Sequence, residues 1–200
     1  MEVGTKKVRA SEKQVMKKKA IFLDRDGTLN FDPGYLNDPD KLELLPNVGE
    51  ALLLFKNAGY LLVIVTNQSG IGRGFITKEQ LNSVHLKMNE ILSISGVKID
   101  FFEACHHKPE DKCDCRKPKA NLLINAANKY NIDLQASVMV GDRVTDMEAG
   151  KNAGCKKVAM VRTGDGLVNE KMTCEASIDF IGDDLLVVAK WVLGLKNEHS

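Results

Sequence analysis

The chain has 200 residues, 44% of them hydrophobic and 28% charged, with a formal net charge of +1. That length suits one domain with a sizeable core, and the composition is that of a soluble globular protein. The near-neutral balance argues against a dedicated polyanion binder, and no run approaches the ~18 apolar residues of a membrane span.

Residues 1–18 form a basic N-terminal arm carrying Lys6, Lys7, Arg9, Lys13, Lys17 and Lys18, read as a solvated segment ahead of a single domain over 19–200. It lacks the apolar core of a secretory signal, so the expected compartment is the cytoplasm. Five cysteines in a reducing compartment are not expected to form disulfides.

Short apolar runs predict strands at Ala20–Leu23, Leu61–Thr66, Phe101–Ala104, Val138–Val140 and Val158–Val161. Helical periodicity predicts Val48–Ala58, Lys78–Ser93, Asn121–Tyr130, Thr145–Ala153 and Leu185–Leu193 between and after them. Thr77 and Gln80 make a capping box for the second helix, and Gly59 and Gly154 stop the first and fourth. Continuous rather than alternating apolar runs indicate strands covered on both faces. The alternation of strand and helix predicts an α/β fold with a doubly wound parallel sheet.

Polar chemistry follows the ends of four of these strands: Asp24 after the first, Thr66-Asn67 at the second, Cys105 after the third and Gly141-Asp142 after the fourth. Such sheets bind ligands at that edge. Asp24-Arg25-Asp26-Gly27-Thr28 places two carboxylates two residues apart beside an apolar strand, an arrangement that needs a cation or hydrogen bonds to offset it. Asp24, Asp26 and Asp142 offer oxygen ligands suited to Mg²⁺, with Asp146 a helical turn further on and divided between ligation and support. A calcium EF-hand does not fit, because Gly27 is fourth rather than sixth and Tyr35 stands where the bidentate Glu is required. Thr66-Asn67-Gln68-Ser69-Gly70 supplies neutral donors for a phosphoryl group. Lys117 is the candidate fixed ammonium, and Arg116 beside it has the planar fork that grips an anionic group.

Cys105-His106-His107 and Cys113-Asp114-Cys115 bring Cys105, His107, Cys113 and Cys115 into spacing for one tetrahedral Zn²⁺. Four protein ligands close the shell, which makes such a site structural. Cys155, Cys174 and His85 are read as packing residues.

Together these elements resemble the haloacid dehalogenase superfamily of phosphotransferases, whose four motifs are similar to Asp24–Thr28, Thr66-Asn67, Lys117 and Gly141-Asp142 with Asp146. Within it, the segments Asp24–Asn30, Gly34-Tyr35, Thr66–Gly74, Cys105–Pro118 and Val140–Gly150 resemble the heptose 1,7-bisphosphate 7-phosphatase family, as does Thr163-Gly164-Asp165-Gly166. The resemblance implies a Mg-dependent phosphatase removing the 7-phosphate of D-glycero-D-manno-heptose 1,7-bisphosphate, in the supply of heptose for lipopolysaccharide core. Asp24 would be the nucleophile that becomes an aspartyl-phosphate and Asp26 the general acid and base. Thr66 and Lys117 would stabilise the phosphoryl group, and Asp24, Asp142 and the Asp26 carbonyl would hold Mg²⁺. It also implies that Asp32, Pro33, Gly34, Tyr35, Thr66, Asn67, Gln68, Ser69, Arg116, Lys117 and Arg143 contact substrate. A minimal cap is implied, and no large insertion follows Asp26 or Thr66. The expected partner is a small phosphorylated sugar, with no nucleic acid or membrane, and the expected state is a monomer. The related histidinol-phosphate phosphatases share the motifs and the zinc loop and are the alternative. A non-catalytic zinc-stabilised binding protein is the remote one.

Overall fold

The computed structural model describes residues 16–171 and 178–196. The basic arm expected at 1–18 lies outside them except for its last three residues, and Cys174 lies outside as well. Lys18 is already tied to the body: its N–H donates to the Asn131 carbonyl at 2.9 Å, and its carbonyl accepts from the Asp133 N–H at 2.8 Å.

Among the described residues six strands, β1 (Ala20–Leu23), β2 (Leu61–Asn67), β3 (Phe101–Cys105), β4 (Val138–Gly141), β5 (Lys157–Val161) and β6 (Phe180–Gly182), form one sheet in the order β3-β2-β1-β4-β5-β6. Every pairing is parallel. Seven α-helices among the described residues connect or follow them: α1 (Val48–Asn57), α2 (Ser69–Gly72), α3 (Lys78–Ser93), α4 (Asn121–Tyr130), α5 (Val144–Ala153), α6 (Gly166–Glu170) and α7 (Leu185–Leu193). The doubly wound α/β architecture is therefore as expected. Sequence reading missed β6, α2 and α6, which are short.

Strand alternation sorts the core into two layers. Ile21, Leu23, Leu62, Ile64, Val138 and Val140 point to the layer built with α1, α3 and α7. Ala20, Phe22, Val63, Val65 and Met139 point to the layer built with α4 and α5. All four β1 side chains are fully buried, each large one stabilising the fold by about 1.5–3 kcal/mol. Helix α3 begins at the expected capping box, with Gln80 N–H donating to Thr77 Oγ1 at 3.1 Å and Thr77 N–H to Gln80 Oε1 at 2.8 Å. Helix α5 stops at Gly154, whose φ of 83° is left-handed and suits glycine.

This order reverses direction between β1 and β4, and ligands bind outside the carboxyl ends of strands at such a switch point. The chain leaves β1 at Asp24 and β4 at Asp142. The Asp24 N–H donates to the Val140 carbonyl at 2.9 Å, joining the two exits. Among the described residues no helix is long and apolar enough to cross a membrane.

Candidate active site

Over the switch point lies a cavity of about 470 Å³ lined by Asp24, Asp26, Thr66, Lys117 and residues of the surrounding loops. Desolvating an ion costs several kcal/mol unless partners compensate, so the pairing pattern here is informative. Lys117 is 3% exposed, and its Nζ donates to Asp24 Oδ1 at 2.8 Å and to the Val65 carbonyl at 2.8 Å. It also pairs with Asp146 Oδ1 at 2.6 Å. Burial opposes the ammonium, but the Asp146 and Asp24 carboxylates outweigh it and hold the Lys117 pKa above the ordinary lysine value. Asp146 Oδ2 accepts the Arg143 N–H at 3.1 Å. With both oxygens engaged, Asp146 braces Lys117 and the start of α5.

Asp142 is different. Its Oδ2 accepts the Asp165 N–H at 2.9 Å, while its Oδ1 is buried with no hydrogen-bond partner among the described residues. Burial, then the Asp24 charge, pushes its pKa up to about 7. A buried acceptor facing a second carboxylate needs a cation that Lys117 does not supply. Oxygen atoms of Asp24, Asp142 and Asp146 lie within 4.8 Å of one another, a hard-oxygen donor set that fits Mg²⁺.

The Asp26 carboxylate is held on three sides. Arg25 donates from Nε and Nη2 to Oδ1 at 3.0 and 2.8 Å, and from Nη2 to Oδ2 at 2.8 Å. Asn30 Nδ2 donates to Oδ1 at 3.0 Å and Gln68 Nε2 to Oδ2 at 2.8 Å. Gln68 Nε2 also donates to Thr66 Oγ1 at 3.0 Å, tying that hydroxyl to the same carboxylate. Sequence reasoning missed Arg25. The sign available was an arginine wedged between two aspartates at the end of a buried strand.

Asn67 grips the Lys117 backbone: its Oδ1 accepts the Lys117 N–H and its Nδ2 donates to the Lys117 carbonyl, both at 3.1 Å. Its side chain is thereby occupied in aiming Lys117. Asp32, Gly34, Tyr35, Gln68, Ser69, Arg116 and Arg143 all line the cavity. Pro33 is exposed and is not part of the lining. Arg143 pairs with Asp165 at 2.9 Å and Asp32 at 3.4 Å across the mouth. Burial is the largest influence raising the Asp32 pKa. Asn169, Val144 and Thr145 also line the cavity without having been singled out in the sequence.

Arg116 and Lys117 emerge from the cysteine-histidine loop. Cys105 Sγ lies 3.6 Å from Cys113 Sγ and 3.2 Å from Cys115 Sγ, and Cys113 Sγ lies 3.6 Å from Cys115 Sγ. His107 Nδ1 is 3.7 Å from Cys105 Sγ and 3.3 Å from Cys115 Sγ. A tetrahedral zinc with three sulfurs and one nitrogen separates its ligand atoms by roughly 3.5–3.8 Å, so the four side chains fit that ion. His106 is not part of the cluster.

A parallel sheet with these acidic residues at its switch point defines the haloacid dehalogenase class of hydrolases, and a family model described as HAD-hydrolase-like matches residues 114–188. The chain is 41% identical over 186 residues to a D-glycero-beta-D-manno-heptose-1,7-bisphosphate 7-phosphatase of Pasteurella multocida, covering 90% of this chain and 100% of that relative. It is 40% identical over 158 residues to the Escherichia coli (strain K12) protein of the same name, covering 76% of this chain and 83% of the relative. A crystal structure of the D,D-heptose 1,7-bisphosphate phosphatase from B. bronchiseptica, complexed with magnesium and phosphate, superposes with a TM-score of 0.81 at 35% identity, covering 88% of this chain and 98% of that one. The chain belongs to the D-glycero-beta-D-manno-heptose-1,7-bisphosphate 7-phosphatase family.

Proposed function

We infer that the protein is a Mg-dependent phosphomonoester hydrolase that removes the 7-phosphate of D-glycero-D-manno-heptose 1,7-bisphosphate. The observation that carries this reading is Asp24, placed at the switch point with Oδ1 paired to Lys117 and its carboxylate lining the cavity. Asp24 attacks phosphorus and forms an aspartyl-phosphate as the bond to the sugar oxygen breaks. Asp26 gives its proton to that oxygen. It then takes a proton from the water that cleaves the acyl phosphate, which regenerates Asp24 and releases inorganic phosphate. Lys117 and the Thr66 hydroxyl face the charge on the transferring group, where fixed donors act without reorganising.

Asp24, Asp142 and the Asp26 carbonyl would hold Mg²⁺, which when bound offsets the repulsion between the phosphate and the carboxylates. Cys105, His107, Cys113 and Cys115 would hold Zn²⁺ as a structural ion fixing the loop ahead of Arg116 and Lys117. Arg116 and Arg143 would meet the second phosphate, and Asp32, Gly34, Tyr35 and the Gln68-Ser69 turn would meet the sugar, Asn67 being held on the Lys117 backbone. The net charge of +1 suits a small phosphorylated sugar better than a polyanion. The enzyme acts as a cytoplasmic monomer over 19–200, in the supply of a heptose nucleotide precursor.

The test is a side-by-side measurement of kcat/KM for heptose 1,7-bisphosphate and histidinol phosphate in MgCl2. The heptose ester is expected to be turned over at least ~10²-fold better, since a site built for particular polar groups strongly rejects a substrate lacking them. Preference for histidinol phosphate would move the protein to the alternative activity.

A further inference from the structure

The Thr163-Gly164-Asp165-Gly166 turn has no part in the chemistry above, yet it touches two halves of the site. Thr163 Oγ1 donates to the Gly27 carbonyl at 2.7 Å, in the loop that follows Asp26. Two residues on, the Asp165 N–H donates to Asp142 Oδ2 at 2.9 Å. Between them Gly164, at φ +57°, presses against Gly27, itself at φ +80°. A Cβ added at Gly164 would stand 2.5 Å from Gly27 Cα and would collide with Asp142 Oδ2, and one added at Gly27 would collide with the same oxygen. Two left-handed glycines thus enclose one oxygen of Asp142, and an amide fixes it. The other oxygen, Oδ1, is left buried and without a partner among the described residues.

We propose that the Gly164 turn is a positioning element for the divalent cation: by seizing Asp142 Oδ2 and the Gly27 carbonyl together, it presents Asp142 Oδ1 and the Asp26 backbone in one fixed arrangement and so sets Mg²⁺ affinity. Neighbours that orient a metal ligand commonly alter affinity by roughly 10- to 100-fold when removed. The inference rests on the reading that Asp24 and Asp142 hold Mg²⁺, and calorimetric titration of the full chain with MgCl2 separates the two. Wild-type protein that takes up no Mg²⁺ sinks the parent reading.

Wild-type protein that binds, alongside Gly164→Ala and Thr163→Val variants that bind equally well, sinks this proposal alone. The expected result is a Mg²⁺ Kd raised roughly 10- to 100-fold in Gly164→Ala and several-fold in the milder Thr163→Val. Most of the lost phosphatase rate should return at saturating MgCl2, a rescue that general damage to the fold would not permit. Should Gly164→Ala fail to fold, Thr163→Val decides. An unchanged Kd there, or a rate loss that MgCl2 cannot restore, overturns the proposal.

Discussion

Arg25 is 1% exposed, a guanidinium buried beside the carboxylate it clamps. A buried ion pair of this kind adds little net stability, because desolvation consumes most of the attraction. What it provides is a fixed orientation for Asp26, reinforced by Asn30 and Gln68. The same charge acts on His85, which is 7% exposed and stacked on Phe102 with ring centroids 4.2 Å apart. Burial, then Arg25, pushes the His85 pKa down to about 3. In the unfolded chain the imidazole titrates near 6.5, so between those values the unfolded state binds the extra proton. The contribution is complete above pH 6.5 and is lost as pH falls toward 3. Between pH 6.5 and 5 the loss is roughly 2 kcal/mol. Urea unfolding at pH 7.5 and 5.0 should therefore show a stability drop smaller by about that amount in His85→Phe than in wild type. Equal drops would show that His85 does not titrate in this way.

Asp24, Asp26 and Asp142 were legible in the sequence as candidates because charged groups at the ends of apolar strands need a reason to be there, and Lys117 because those carboxylates and a phosphate need a fixed positive charge. Arg25, and the occupation of the Asn67 amide by Lys117, were not. Their partners are fixed by the fold, and Asn67 and Lys117 are 50 residues apart.

At the scale of elements, strong periodicity decided what could be read. The long helix α3 has a capping box and a buried stripe of Leu81, Val84, His85, Met88 and Leu92, and its bounds were read as they stand. Strand β6 has three residues and an edge position, and Phe180 gains its burial from stacking on Trp191 at 4.7 Å. That tertiary contact leaves no local pattern. The cysteine-histidine loop is the opposite case, since ligand spacing alone marked Cys105, His107, Cys113 and Cys115, the four side chains that cluster. Because Arg116 and Lys117 follow Cys115 directly, loss of the ion should displace both. Cys113→Ala is expected to lose stoichiometric zinc by metal analysis, and its kcat/KM should fall by about 10²-fold, as misplacing a positioned group by ~1 Å can cost. Full zinc content in the variant, or zinc loss with unchanged kcat/KM, would contradict the structural role of the loop.

At the scale of the whole molecule, one topological fact organises the rest. The strand order places the exits of β1 and β4 side by side, so Asp24 and Asp142, 118 residues apart by their numbers, meet at one edge. The exits of β2 and β3 add Thr66 with Asn67 and the cysteine-histidine loop with Lys117, so four strand ends converge on one cavity. The periodicity of the sequence implied the parallel sheet, but the order of its strands rests on pairing between distant segments. The central claim is that Asp24 is the nucleophile at this convergence. It is tested by phosphate release from heptose 1,7-bisphosphate in MgCl2 by wild type and by Asp24→Asn, with zinc content and far-UV circular dichroism confirming that both are folded. The variant is expected to lose at least ~10³-fold in kcat; a folded, zinc-replete variant within tenfold of wild type would contradict the account.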